Sequence, residues 1–69
     1  MKEIDKLRVL IPHWIEHNTE HADEFHRWAA QAEDASADIT AAAEAMVQAN
    51  VALDRALQKL GGALPMPDD

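Results

Sequence analysis

The chain has 69 residues, 13 Asp and Glu against 6 Lys and Arg, a formal charge of -7 and no cysteine. A length this short allows one domain near the lower limit for independent folding, and the missing thiols remove disulfides, thiolate metal ligands and thiol catalysis together. The acidic balance, with its few cations scattered, argues against nucleic acid and against anionic membrane surfaces as partners.

The first segment alternates charge with aliphatic residues and lacks the continuous apolar stretch of a secretory signal, so a cytoplasmic location is expected. Its longest apolar run is Val9, Leu10, Ile11, far short of a membrane span. Apolar residues then recur at helical spacing, predicting a first helix over residues 5–34. In heptad terms Ile4, Ile11, Asn18, Phe25 and Ala32 share one seam position, and Leu7, Trp14, His21, Trp28 and Ala35 share the other. On this reading Trp14, Phe25 and Trp28 are core residues. Pro12 lacks an N–H and crowds the carbonyl of Arg8, which predicts either a kink between Arg8 and Pro12 or a helix starting only a turn earlier, with Asp5 as the N-cap of the longer version.

Between Glu33 and Asp38 large apolar residues disappear, and Ser36 or Asp38 offers an N-cap for a second helix over residues 38–60. Ile39, Met46, Leu53 and Leu60 recur at strict seven-residue spacing, with Ala35, Ala42, Ala49 and Ala56 as a row of small residues beside them. Gly61 and Gly62 stop the helix, and Lys59 complements its dipole. The fold expected is an all-α antiparallel two-helix hairpin over residues 1–62, with a flexible tail at 63–69. Two helices alone return too little apolar burial to offset the entropy of ordering the chain, so a homodimer forming a four-helix bundle is expected, with docking onto a larger protein as the other possibility.

The chemically ordered feature is the run from His13 to Glu24, three successive His-x-x-Glu units, followed by His26. Residues four apart on a helix are neighbours, so His13 faces His17 and His17 faces His21, with Glu20 and Glu24 along the same stripe. Two histidines at i and i+4 hold one divalent ion between them. Three in a row do not share one, because the outer pair are about 12 Å apart by helical rise. A single site would use His17, His21 and Glu24, or His13, His17 and Glu20, with further ligands borrowed from a partner helix. Imidazole and carboxylate suit zinc, nickel or copper rather than magnesium or calcium. The plain alternative is that the His and Glu pairs are helix-stabilising contacts on a solvated face, or that His21 bonds Asn50 across the seam to fix register.

The segment LRVLIPHWIEHNTEHADEFHRWA, Leu7 to Ala29, resembles small bacterial and archaeal His-rich helical-hairpin domains with a PHWIEHN-type motif, associated with metal and nickel handling. The resemblance implies metal association for His13, His17 and His21, and no activity. With a single serine, Ser36, no cysteine and no expected closed pocket, an enzyme is not anticipated. Two functions are therefore expected as candidates: a metal-binding accessory or sensing protein, and a helical dimerisation or interaction module.

Overall fold

A computed structural model describes residues 2–65; Met1 and residues 66–69 lie outside the described part. The chain is an antiparallel hairpin of two α-helices, α1 (Glu3–Ala29) and α2 (Ser36–Leu60), joined by a short 3-10 turn over Glu33–Ala35. Helix α1 ends five residues before the limit drawn from periodicity, and Ser36 is the first residue of α2 rather than its side-chain cap; Ala35 stands at the N-cap. Alanine supports helix wherever it falls, so composition places both boundaries loosely. The connection turns sharply enough to hold Glu33 in the left-handed region, at φ 52.

Pro12 lies inside one continuous helix, and Asp5 sits in its first turn rather than at the N-cap, which is Lys2. The carbonyl that proline leaves without its usual donor is that of Arg8, four residues earlier. It accepts the backbone N–H of Leu64 at 3.2 Å. The Arg8 side chain reaches the same neighbourhood, donating from Nε to Gly62 O at 2.7 Å and from Nη2 to Gly61 O at 3.0 Å. Helix α2 ends in a Schellman motif, with Gly61 N–H on Gln58 O, Gly62 N–H on Leu57 O and Gly61 at φ 110. A guanidinium on these last carbonyls also opposes the negative end of the helix dipole. The first residues of the expected flexible tail are thus clasped to α1 through Leu64, while 66–69 lie outside the described residues.

A polar group sits in the middle of the seam. Asn18 Nδ2 donates to Asn50 Oδ1 at 3.0 Å, and Asn50 Nδ2 donates to Thr19 Oγ1 at 3.1 Å and to Ile15 O at 3.3 Å. Asn50 therefore pairs with Asn18, not with His21 as the heptad reading allowed. With Asn18 level with Asn50, antiparallel helical spacing brings Ala22 level with Met46, Phe25 with Ala43 and Ala29 with Ile39. Each of these layers sets a large side chain against a small one, which lets the axes approach closely.

The buried residues are Ile11, Ala22 and Ala29 on α1 and Ala43 and Leu57 on α2. These include a row one residue later than the seam expected from Trp14, His21 and Trp28. Both tryptophans are outside the core: Trp14 is 42% exposed and Trp28 63%. The row Ala35, Ala42, Ala49 and Ala56 is likewise exposed, and Ala43, at 0%, occupies the tight position instead. Side-chain size drew the expectation toward tryptophan, whereas pairwise volume fit put alanine in the seam.

One seam makes one layer. Among the described residues no further helix or strand packs across either broad side of the pair.

Two substitutions test this packing. Ala43→Leu should destabilise the hairpin by about 1–3 kcal/mol through overpacking, while Ala41→Leu on the outer edge stays near neutral; chemical denaturation at fixed protein concentration distinguishes them. Arg8→Ala should cost about 2 kcal/mol by leaving the Gly61 and Gly62 carbonyls without their charged donor, and lower the melting temperature by roughly 4–8 °C per kcal/mol. Equal tolerance of Ala43→Leu and Ala41→Leu would contradict this seam.

Candidate functional site

The rotation of α1 in the seam decides where its histidines go. With Ile15, Asn18, Ala22 and Phe25 turned toward α2, the stripe Leu10, Trp14, His17, His21, Glu24 and Trp28 lies about 100° round the helix from the seam. It runs along one broad face of the hairpin. Because the helices are antiparallel, the row one residue before the seam falls on that same face in both, so α2 contributes Ala42, Ala45, Ala49, Ala52 and Ala56. All five alanines are exposed.

The opposite broad face is different in kind, carrying Glu16, Asp23 and His26 from α1 and Glu44 and Asp54 from α2, with Val47 and Val51 exposed among them. Val47 and Val51 are one turn apart and form a small aliphatic pair, whereas the other face exposes Leu10, Trp14 and Trp28 toward its two ends, beside a strip of alanine. An assignment by side-chain size sends the tryptophans to the core and so misses this face. Its signal is present in the seven-residue interval from Trp14 to His21 to Trp28.

The five residues expected to bind metal keep the mutual spacing of one helix, within about 100° of arc, and the seam decides only which side of the hairpin each part of that arc meets. His17, His21 and Glu24 lie on the apolar face, all exposed. His13 and Glu20 lie on the outer edge of α1, away from the seam, with His13 half-buried. His26, on the opposite broad face, is exposed. Among the described residues no three His, Asp or Glu side chains converge to hold one ion. His17 and His21 remain one turn apart on one stripe. The His21 ring stacks on Phe25, with centroids 6.1 Å apart and planes 25° from parallel, which limits its orientation. At the end of the stripe Glu24, Arg27, Trp28 and Gln31 line a shallow open groove.

No helix among the described residues is long and apolar enough to cross a membrane. Fold and surface together define an all-helical hairpin with tryptophan, histidine and alanine on one broad face and most of its carboxylates with two valines on the other. The family model that matches this chain, over residues 7–60, is that of a domain of unknown function, DUF8180, and the chain belongs to that family. The match takes in both helices from Leu7 to Leu60 and therefore the whole Trp, His and Ala face. No curated protein and no solved structure matches the chain.

Proposed function

We propose that this protein is a helical self-association module, whose apolar broad face is covered by a second copy to give a four-helix bundle. The observation that carries the reading is the contrast between the two broad faces of a single helical layer. Domains are ordinarily built from two packed layers around a common core, and here one layer presents tryptophan and alanine on one side and carboxylates on the other.

Size points the same way, because a chain of 7.6 kDa is near the lower limit for a domain that completes its own core. A two-fold contact uses the same patch on both copies, and this face suits one in which each helix meets its own counterpart. Alanine strips allow the two α2 helices to approach closely, while the Trp14 and Trp28 side chains fill a wider space between the two α1 helices. The acidic faces then point outward on both sides of the bundle, where they favour solubility and oppose further stacking.

Sedimentation velocity of the metal-free chain in EDTA tests the proposal. The expected species is a dimer across the micromolar range, shifted to monomer by Trp28→Glu or Trp14→Glu and unaffected by Ala41→Glu on the outer edge. Retention of helical circular dichroism in each variant separates lost association from lost folding. A folded wild-type chain that remains monomeric at every concentration would overturn it.

A further inference from the structure

We propose that His17 and His21 form half of a metal site, and that the other half is the same pair in a second copy, so that one zinc-class ion bridges two hairpins. The proposal rests on the self-association reading and adds a ligand to it.

Two imidazoles in the middle of a face that otherwise carries Leu10, Trp14, Trp28, alanine and one carboxylate, Glu24, need an explanation if that face is covered. Neither His17 nor His21 has a hydrogen bond or ion pair among the described residues, and the neighbouring strip of α2 is alanine, which offers no side-chain partner. Burying an unpaired polar group is costly. A metal ion removes that cost by taking a lone pair from each ring. The spacing suits it, since histidines at i and i+4 grip one ion from a single helix face. One pair supplies only two ligands, consistent with the lack of any converging group of three among the described residues of the single chain. Zinc completes a tetrahedron with four.

Symmetry supplies the rest. A two-fold axis crossing α1 midway between His17 and His21 brings each of these residues opposite its counterpart's neighbour, gathering four imidazoles at the axis. The same axis sets Leu10 of one copy toward Trp28 of the other, so apolar contacts flank the polar centre and shield it. Glu24, three residues beyond His21 on the same stripe, lies within the reach of helical neighbours and is placed to accept the N–H of a ligating ring, the usual support for a metal-bound histidine. Phe25 restricts the His21 ring on its other side. Nitrogen ligands favour zinc, nickel or copper over magnesium or calcium.

The test is titration of the metal-stripped full chain with zinc chloride by calorimetry, with sedimentation velocity on the same samples and cobalt(II) as a spectroscopic substitute. The expected result is one zinc per two chains, tetrahedral cobalt absorption, and a dimer that resists dilution better with zinc than in EDTA. His17→Ala and His21→Ala should each abolish half-stoichiometric binding, and His13→Ala and His26→Ala should retain it. These sites are helical and His17, His21 and His26 are exposed, so circular dichroism should show all four variants folded. Binding at one zinc per chain, no binding, or equal loss in His13→Ala or His26→Ala would each overturn the bridging site. A metal-free dimer that binds no zinc would leave self-association intact while removing this inference, and a monomer in EDTA that binds one zinc per chain would remove both.

Discussion

The arrangement of this hairpin depends on the register set where Asn18 meets Asn50. That pair, joined by the second bonds from Asn50 to Thr19 and Ile15, holds α2 against one level and one rotation of α1. A polar pair inside an apolar seam contributes less to raw stability than to specificity, because a slipped or rotated alternative would bury the same amide groups without partners. The Arg8 clasp reinforces the choice from the open end of the hairpin. It ties the C-terminal carbonyls of α2 to α1 and gives the proline-orphaned Arg8 carbonyl a donor in Leu64.

Rotation follows from register, and the surface follows from rotation. With Ala22, Ala29 and Ala43 inside, Trp14, His17, His21 and Trp28 are presented together on a broad face. A turn of α1 by one residue would place the tryptophans in the seam and leave small alanines outside. The hairpin thus leaves its two tryptophans exposed and places small alanines where the helices meet. In the proposed bundle the histidine pair would be enclosed by apolar contacts, so the proposed metal site and the proposed association surface would be one patch.

Much of this was legible in the sequence. Seven-residue intervals on both helices, Gly61 and Gly62 after Leu60, and the loss of large residues near Glu33 identify two antiparallel helices without ambiguity. The His-x-x-Glu units announce a stripe on α1, and the i, i+4 spacing of His17 and His21 defines their pairing from helical geometry alone. What periodicity left open was which of two adjacent rows forms the seam. The expected row of Ile11, Asn18 and Phe25 does line the seam, but the heavier side chains of Trp14 and Trp28 drew the row beside it one residue too early, where Ala22 and Ala29 are the buried residues. The expected metal stripe keeps its spacing along α1, and the seam adds only that His17, His21 and Glu24 meet a broad face while His13 and Glu20 meet the outer edge.

Amino-acid order alone was enough for the helices, their antiparallel pairing and the spacing of the histidines, because each depends on local propensity or on a repeat along one chain. Contact between the helices was needed to fix which row is buried, how Pro12 is accommodated and which face carries the tryptophans. Those outcomes depend on pairs of residues far apart in sequence: Phe25 against Ala43, Ala22 against Met46, Asn18 against Asn50, and the Arg8 carbonyl against Leu64. Volume fit and hydrogen-bond completion are properties of such pairs, so they take definite form only once the two helices have met.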